Sequence, residues 1–293
     1  MSKPKVGPVE IAFIGGSGLY EVSGIENVEE ISVDTPFGNP SDKIIVGVID
    51  GVPCAFLPRH AKSHVYLPGE IPQKANMYAL KSLGVKKIVA FAACGSLKRE
   101  IKPKDFVIPD QLFDRTRNRP HTFFGEGIVA HVGMAKPFCD CLRDTIHKSV
   151  AELAIEHHFE GTYVCIEGPQ FSTKAESEVN RAHGFSVVGM TAMPEARLAR
   201  EAEMCYANVS LVTDFDVWKE GEEVTNDSVL LAMQSNVNNA KKVIRNIVPK
   251  LAGLQCNCGC QDALSSAIMT SFDRMNKETY KKLSFLLDKY KKG

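Results

Sequence analysis

The fold of this chain is constrained above all by a set of short apolar runs. Several of them lack the alternation of apolar and polar residues that is typical of a half-exposed strand. They are rich in Val, Ile, Phe and Ala, and strands of this composition are buried on both faces. Burial on both faces requires that helices cover the sheet on each side. The eight runs are Val9–Ile14, Ile44–Ile49, Pro53–Leu57, Lys87–Ala93, Asp105–Ile108, Tyr163–Ile166, Ser186–Met190 and Tyr206–Thr213.

Longer amphipathic stretches lie between these runs and predict helices. The alternation of strands and helices predicts an α/β fold. No internal repeat or low-complexity linker divides the chain, so we expect one domain over residues 1–293, with a C-terminal helical segment from about residue 225. The aperiodic stretch Arg115–Val132 predicts a long functional loop or a short hairpin. The predicted helices are Pro72–Leu83, Pro137–His157, Thr173–His183, Pro194–Ala207, Asp227–Val248 and a tail from about Asp262 to Lys292.

The composition excludes several classes of protein. The 293 residues are 44% hydrophobic and 24% charged, which is ordinary for a soluble globular protein and excludes disordered and fibrous chains. The 35 basic and 35 acidic residues cancel, so no net field attracts nucleic acid or an anionic membrane. The longest apolar runs are too short to cross a bilayer. The N-terminal Met-Ser-Lys-Pro-Lys is unlike a signal peptide, so we expect a cytoplasmic protein.

Six segments with polar residues or glycine directly follow the strand candidates. In α/β sheets, ligands bind just beyond the carboxyl ends of the strands. If the strands are parallel, all six segments lie along one edge of the sheet, and this is the strongest signal of function in the residues themselves. The segments are Gly15–Gly18, Pro58–His60, Cys94–Ser96, Glu167–Ser172, Thr191 and Asp214–Asp216.

Two of these segments fit an anion. Gly15–Gly18 offers backbone N–H groups and a hydroxyl, although it completes neither the dinucleotide fingerprint nor a P-loop and equally fits a plain turn. The pair Arg59-His60 combines a planar guanidinium fork with an imidazole donor, which favours a phosphate site over a surface arginine and a structural histidine.

Asp214 and Asp216 end the most apolar strand candidate and point the same way if the chain stays extended. Two such carboxylates can accept hydrogen bonds from an amino group and a ring N–H. One can also give a proton to a leaving group if its pKa is raised. A turn or a metal pair are the alternatives, but Mg²⁺ or Ca²⁺ needs more oxygen ligands than the segment offers.

Nine cysteines are many for a cytosolic chain, and three of them form Cys256-Asn257-Cys258-Gly259-Cys260. That spacing is not the usual one for zinc, so we predict no metal. Disulfides are common in hyperthermophiles and rare in mesophilic cytosol. We hypothesise stabilising disulfides, with idle thiols as the alternative. Cys139 and Cys205 meeting across helices are one candidate pair, and Cys256, Cys258 and Cys260 bridging one another or a more distant thiol such as Cys205 are the other.

Ten ordered segments between residue 11 and about residue 220 resemble the trimeric purine nucleoside phosphorylase family, and within it the branch that acts on 5′-methylthioadenosine. The C-terminal stretch matches loosely, and its cysteines resemble the archaeal, thermophilic members. The segments are Ile14–Leu19, Val33–Gly38, Arg59-His60 with His64 and Pro68, Ala93–Leu97, Asp110-Gln111, Asp114–Thr116, Met134–Cys139, Glu167–Ser172, Met190-Thr191 and Thr213–Lys219.

The resemblance implies a fold and a reaction. The fold is the nucleoside phosphorylase fold, a central mixed β-sheet flanked by helices. The reaction is a pentosyl transfer in which phosphate attacks 5′-deoxy-5′-methylthioadenosine and releases adenine and 5-methylthioribose 1-phosphate. Phosphate is a co-substrate, and no metal or organic cofactor is expected. Family members are trimers or, in some thermophiles, hexamers.

The resemblance also assigns the site residues. Asp214 is the expected general acid and His60 a second catalytic residue. Aspartate at position 214, where 6-oxopurine enzymes carry asparagine, favours a 6-aminopurine, and Ala92 stands where mammalian relatives carry threonine. His131 is expected to come from an adjacent subunit. The phosphate residues are Ser17, Arg59, His60, Ala93 and Thr191; the nucleoside residues are Phe171, Ser172, Met190, Asp214, Asp216, His64, His131 and Val229.

Four alternatives stay open at this point. A broader purine nucleoside phosphorylase would act on adenosine, inosine and guanosine. A nucleosidase would use water, but it needs no anion site. A Rossmann dehydrogenase is weakened by the incomplete glycine pattern. A non-catalytic metal- or thiol-binding protein centred on Cys256–Cys260 would leave the six strand-end segments unexplained.

Overall fold

The computed structural model describes residues 4–16, 18–19, 24–219, 221 and 226–291, with the backbone alone for 226–229. The strands of this part form one mixed sheet, as expected for the nucleoside phosphorylase fold. They are β1 (Ile11–Gly15), β2 (Glu26–Ile31), β3 (Ile44–Ile49), β4 (Val52–Pro58), β5 (Lys87–Ser96), β6 (Phe106–Ile108), β7 (Gln111–Asp114), β8 (His157–Phe159), β9 (Thr162–Cys165), β10 (Val187–Gly189) and β11 (Cys205–Asp214).

Helices cover both faces of the sheet. Alternate residues of one strand enter different cores: Ala12 and Ile14 of β1 pack with one buried cluster, whereas Ile11 and Phe13 pack with the other. Both sets are apolar, which is why the strands show no polar alternation. The helices are α1 (Gln73–Ser82), α2 (Asp140–Glu152), α3 (Lys174–Ala182), α4 (Ala192–Glu201), α5 (Asn226–Ala252) and α6 (Lys277–Leu287).

The central strand β5 organises the sheet. Its first residues, through Ala90, pair with β1 in parallel, and its last residues, Gly95 and Ser96, pair with β10 in antiparallel orientation. Along its other edge it pairs with β11 in parallel. On the β1 side, residues 91–94 therefore pair with no described strand. The sheet opens at that point, and the opening is where a ligand can reach the backbone of β5.

The expectation of one shared edge required that all strands next to the six segments are parallel, but β10 runs antiparallel to β5. β10 starts opposite Ser96 and runs back along β5, with Val187 opposite Ser96 and Val188 opposite Gly95. Its last residue therefore approaches the same opening from the opposite side. The six segments still meet at this opening. Five of them follow strands other than β10, and the segment after β10 reaches the opening from a strand that runs antiparallel to β5.

Several element boundaries were predicted wrongly. The helix predicted over Pro137–His157 ends at Glu152, and His157 belongs to β8. The helix predicted over Pro194–Ala207 ends at Glu201, since β11 begins at Cys205. The predicted helical tail contains two short 3₁₀ turns before α6. The stretch Arg115–Val132 is a long loop, the first of the two predicted forms, with one internal bridge between Gly125 and Ile128 and a second from Ala130 to Ile268.

The expected disulfides are not present in the structure. All nine cysteines are free, and the sulfurs of Cys205 and Cys258 are 3.5 Å apart. Cys139 and Cys205 do approach each other, but between the start of α2 and the start of β11, not across two helices. None of the helices described is long and apolar enough to span a membrane.

Candidate active site

A cavity of about 500 Å³ lies at the opening beside β5. Its walls include residues from all six strand-end segments that the sequence singled out. Residues 91–95 of β5, most of which pair with no described strand on the β1 side, form part of the wall. The carboxyl ends of β1, β4 and β11 lie around them. The representatives of the six segments are Gly16, Arg59 with His60, Cys94 with Gly95, Phe171 with Ser172, Thr191, and Asp214 with Asp216.

One side of the cavity carries a buried positive charge. The Arg59 guanidinium is 2% exposed and forms an ion pair with Glu195, which is fully buried at the start of α4. A second bond joins Arg59 Nη2 to Glu195 Oε2 at 3.2 Å, and Nη1 donates to the Phe91 carbonyl at 2.8 Å. Tyr206 donates its hydroxyl to the same Glu195 oxygen at 2.9 Å. Three of the five guanidinium N–H groups are thus used, and two have no described partner.

Thr191 adds a neutral donor on this side. It is the residue before α4, and its buried hydroxyl has no hydrogen-bond partner among the described residues. A buried hydroxyl without a partner is costly unless a ligand satisfies it. The hydroxyl and the free guanidinium N–H groups line one cavity, and the positive end of the α4 dipole adds to their attraction for an anion.

His60 is held as a neutral ring. Its Nδ1 lies 2.8 Å from the carbonyl oxygen of Tyr66, and since a carbonyl only accepts, Nδ1 carries the proton. Burial lowers the pKa of His60 to about 4. The remaining nitrogen, Nε2, is therefore an acceptor at neutral pH. His64 stacks on the His60 ring at a centroid distance of 4.4 Å and also lines the cavity.

The other side of the cavity carries two carboxyl groups. Asp214 accepts hydrogen bonds from the Thr213 hydroxyl at 2.6 Å and from the backbone N–H of Asp216 at 2.7 Å. Burial raises the pKa of Asp214, and these two hydrogen bonds oppose the rise. Burial likewise raises the pKa of Asp216, whose Oδ2 has no hydrogen-bond partner in the described part of the chain. Both groups therefore hold a proton more readily than an exposed aspartate does.

Local backbone features bring these carboxyl groups to the cavity. A register shift in the β5–β11 pairing between Val212 and Asp214 marks a bulge, which redirects the chain at the end of β11. Gly95 lies opposite, and a Cβ there would come within 2.9 Å of Asp214 Oδ1. Only glycine lets the carboxyl group lie this close to β5. Asp216 itself has a positive φ of 51°, so the extended geometry assumed from the sequence does not hold.

The remaining wall is largely apolar. Phe171, Ser172 and Met190, three of the residues predicted to contact the nucleoside, line the same cavity as the carboxyl groups, and their predicted role stays a prediction. Met233 and Val237 of α5 also contribute aliphatic side chains to the wall, and Val237 lies next to Gly18. The cavity thus offers a cation and a hydroxyl near Phe91 of β5, carboxyl groups near Gly95 of β5, and a largely apolar surface elsewhere.

A family model described as the phosphorylase superfamily matches residues 10–249. The chain belongs to the phosphorylase superfamily. It is 49% identical over 284 residues to an S-methyl-5′-thioadenosine phosphorylase of Synechocystis sp., covering 96% of this chain and 87% of that relative.

Solved structures of similar phosphorylases agree with this assignment. A methylthioadenosine phosphorylase sourced from an antarctic soil metagenomic library superposes with a TM-score of 0.93 at 45% identity, covering 96% of this chain and 99% of that one. A methylthioadenosine phosphorylase from Schistosoma mansoni in complex with adenine superposes with a TM-score of 0.85 at 35% identity, covering 89% and 99%. The archaeal, thermophilic type stays a prediction.

Three predicted site residues of this phosphorylase are not placed in the cavity. Ser17 lies outside the described residues, and so does the side chain of Val229. His131 is exposed, its backbone N–H bonds to the Ala267 carbonyl, and it is absent from the cavity wall of its own chain. The expectation that a neighbouring subunit contributes His131 is compatible with this position and stays a prediction.

Arg119 is a residue that the sequence reasoning missed. It lies in the loop predicted over Arg115–Val132, where its guanidinium is buried. It donates at 2.6 Å to the carbonyls of Met190, Met193 and Glu167, and it pairs with the Glu167 carboxylate at 3.2 Å. Arg119 therefore ties together the two segments that carry Phe171 and Met190.

Glu195 is a second residue that the sequence reasoning missed. Its position near a helix start suggests an ordinary capping acid, and nothing local links it to Arg59, 136 positions away. Arg119 and Glu195 both act on residues distant in sequence. For Glu195 the signal present was a charged residue among mostly apolar neighbours, whereas Arg119 lies among polar and charged residues and carried no such signal.

Proposed function

We propose that this phosphorylase cleaves 5′-deoxy-5′-methylthioadenosine with phosphate. A phosphate oxygen forms a bond to the anomeric carbon, the bond from that carbon to the purine nitrogen breaks, and adenine leaves with a proton. The products are adenine and 5-methylthioribose 1-phosphate. The observation that carries the proposal is one cavity that joins the buried Arg59 guanidinium to the protonatable Asp214 carboxyl group. The names of the relatives support the same reaction.

Phosphate occupies the cationic side. Arg59 offers its two unused N–H groups, and the Thr191 hydroxyl is a third donor. The neutral His60 ring accepts at Nε2, which suits the P–OH group of a phosphate monoanion or a sugar hydroxyl. The predicted roles of Ser17 and of the Ala93 backbone complete the phosphate site. Because Glu195 holds Arg59 before phosphate arrives, little reorganisation accompanies binding.

Adenine lies against the carboxyl groups. As the glycosidic bond breaks, negative charge builds on the purine, and a proton delivered to N7 relieves it. Asp214 is the general acid because burial keeps its proton bound at higher pH than usual. Its second oxygen accepts from the 6-amino group. Asp216, with Ser172 and Phe171 nearby, completes the purine side.

The transition state is positively charged at the sugar. Phosphate then acts as nucleophile and as counter-charge, so positioning and electrostatic stabilisation supply most of the catalysis. The residues present suffice for these steps, and we propose phosphate as the co-substrate with no metal or organic cofactor in the reaction.

The 5′ substituent faces the apolar wall. A methylthio group gains from contact with Met233 and Val237, whereas a 5′-hydroxyl there loses its water without a partner. His64 lines the same cavity and is the polar side chain that we assign to a 5′-hydroxyl, and Val229 precedes this part of α5. Discrimination by an apolar pocket is about 1–3 kcal/mol, or roughly tenfold to 200-fold.

We also propose a homotrimer, or a hexamer made of two trimers, in which His131 reaches a neighbouring cavity. The exposed position of His131 away from its own cavity supports the proposal. Sedimentation of the purified chain tests it, and a monomer active at high dilution contradicts it. The cytoplasmic location stays a prediction from the sequence.

The deciding experiment is release of adenine from 5′-methylthioadenosine with and without phosphate. Release that requires phosphate supports the proposal, whereas equal release without phosphate indicates a nucleosidase. Adenosine, inosine and guanosine serve as parallel substrates. Turnover of inosine or guanosine above that of the methylthio compound would favour the broader purine nucleoside phosphorylase and contradict the role of Asp214.

A further inference from the structure

Six of the nine cysteines gather at one place, far from the cavity in which the proposed reaction occurs. Cys139 is the residue before α2 and Cys141 lies in its first turn. Cys205 is the first residue of β11, and Cys256, Cys258 and Cys260 follow α5. Three elements that are remote in sequence thus converge on the same sulfur cluster. We call these six residues the thiol cluster.

The sulfurs of the thiol cluster are close enough to share a metal ion. Cys139, Cys205, Cys258 and Cys260 form one set of four, and all sulfurs in it lie within 4.8 Å of one another. In a tetrahedral zinc site with Zn–S bonds of about 2.3 Å, neighbouring sulfurs lie about 3.8 Å apart. The Cys205 to Cys258 distance of 3.5 Å is near this value.

A second set of four overlaps the first. Cys139, Cys141, Cys256 and Cys258 also have their sulfurs within 4.8 Å of one another. The two sets share Cys139 and Cys258 and together use all six thiols. Two tetrahedral ions that share two bridging thiolates require six cysteines, which is the number present.

The backbone of the C-terminal segment favours convergence of its three sulfurs. The cysteines at positions 256, 258 and 260 are more buried than the residues Asn257 and Gly259 between them, so alternate side chains turn inward. Gly259 has a φ of +70°, a conformation that favours glycine, and it redirects the chain between two of the cysteines. The spacing argument from the sequence considered only this segment and therefore missed the three sulfurs from α2 and β11.

Positive groups surround the thiol cluster. Cys139 lies at the N-terminus of α2, where the helix dipole favours a negative sulfur. The positive charge of Arg200 acts on Cys260. Lys87 lies opposite Cys205 in the β5–β11 pairing, is 4% exposed, and donates to the Leu251 carbonyl, with no described carboxylate within 4 Å. The α2 dipole and the charge of Arg200 therefore both favour negative thiolates at this place.

We propose that the thiol cluster binds zinc, as a pair of ions bridged by the sulfurs of Cys139 and Cys258. Soft thiolate ligands in tetrahedral geometry select zinc among the common divalent ions. Binding exchanges six S–H protons for two Zn²⁺ ions and six Zn-bound thiolates, with the protons released to solvent and no change of oxidation state.

The zinc pair is structural. β11 runs for ten residues from Cys205 to Asp214, which separates the cluster from the carboxyl group by about 30 Å at the usual rise of a strand. The ions instead clamp the segment after α5 onto α2 and the start of β11. Loss of zinc should therefore lower the unfolding temperature and leave turnover below that temperature unchanged.

Metal content of the full-length protein, purified under reducing conditions without added chelator, tests the proposal first. Two zinc ions per chain is the expected result. One ion per chain overturns the bridged pair and supports a single site. The absence of zinc, together with failure of the chelated and reduced protein to bind added Zn²⁺ or Co²⁺, overturns the proposal. Six thiols missing from a count under denaturing conditions without reductant would identify disulfides instead.

Cobalt titration of the metal-free protein gives a second, independent readout. Tetrahedral thiolate-bound Co²⁺ absorbs strongly in the visible range, and absorbance should rise to two equivalents. Magnetic coupling should appear with the second equivalent because two sulfurs bridge the ions. A saturation at two equivalents without coupling contradicts the shared positions of Cys139 and Cys258.

Variants separate the two sets. Cys256→Ser removes only the second set and Cys260→Ser only the first, so each should retain one zinc ion. Cys54→Ser is the matched control, because Cys54 is buried on β4 away from the other sulfurs and should retain two ions. Circular dichroism and turnover confirm folding of each variant. If a variant does not fold, the cobalt titration of the unaltered chain still decides.

Discussion

The two ends of the cavity treat charge in opposite ways. At the end where we propose phosphate, Arg59 is charged, buried and compensated inside the protein by Glu195. At the end where we propose the purine, Asp214 and Asp216 form no ion pair with any described residue, and burial raises both pKa values. The first arrangement holds a permanent charge in place for a ligand. The second favours a bound proton that can be transferred, so the proposed reaction combines a fixed charge at one end with a titrating group at the other.

The largest effect is expected for Asp214→Asn. The asparagine keeps the size of the side chain but cannot deliver a proton, so kcat for 5′-methylthioadenosine should fall about 10²- to 10⁴-fold. Preference should move towards inosine, because an amide N–H can face a 6-oxo group. Steady-state kinetics with both nucleosides measure the change.

Asp50→Asn is the matched control, because Asp50 is an exposed turn residue between β3 and β4. It should leave both rates unchanged. An Asp214→Asn enzyme with unaltered substrate preference would contradict the proposed role of Asp214 in recognising and protonating the purine.

The next effect is expected for Arg59→Lys. Lysine keeps the charge but cannot bond Glu195 and phosphate through one planar fork. Loss of a charge-assisted hydrogen bond weakens binding by about 1.5–3 kcal/mol, so KM for phosphate should rise about tenfold to a hundredfold. KM for the nucleoside should change little. Initial rates over a grid of both substrates separate the two constants.

Arg143→Lys is the control for that change. Arg143 is also buried and bonds the Pro109 carbonyl and Asp140, but it lies on α2 outside the cavity wall. Its phosphate KM should match that of the unaltered enzyme. Equal changes of both KM values in Arg59→Lys would place the anion elsewhere.

A smaller effect is expected for Arg119→Lys. The lysine cannot serve the carbonyls of Met190, Met193 and Glu167 together, so the two purine-side segments should loosen. We expect KM for the nucleoside to rise about tenfold, equivalent to about 1.4 kcal/mol, with KM for phosphate unchanged. Arg274→Lys, an exposed residue, is the control. A rise in KM for phosphate of the same size would show that the two ends are not independent.

The smallest effect concerns pH. Unfolded His60 takes up its proton near pH 6.5, whereas burial lowers its pKa in the folded protein to about 4. Between these values the unfolded state binds more protons, so the His60 contribution to stability is complete above about pH 6.5 and is lost as pH falls towards 4. Its slope is at most about 1.4 kcal/mol per pH unit.

Chemical denaturation at pH 7, 6 and 5 measures this contribution. The His60→Asn enzyme should lose less stability on acidification than the unaltered enzyme, whereas His183→Asn, at an exposed histidine, should not differ from it. A parallel acid slope in His60→Asn would mean that the ring is not held neutral by the fold.

Much of the site could be predicted from local sequence. Apolar runs without polar alternation identified most of the strands, because burial on both faces leaves a compositional trace. The polar segments after those runs identified Arg59, Thr191 and Asp214, which all line the cavity. The strands β2, β7 and β8 were missed, since they are short or partly exposed and their residues carry no such trace.

The sequence by itself thus determined the fold class and many of the residues that line the cavity, because burial and strand-end position act within a few neighbouring residues. The tertiary structure alone decided the partners. It joined Arg59 to Glu195 and Arg119 to the Met190 segment, and it set β10 against the direction of β5. It also assembled six sulfurs from three elements. These are contacts between residues tens or hundreds of positions apart, and their distances depend on how the whole sheet pairs and twists.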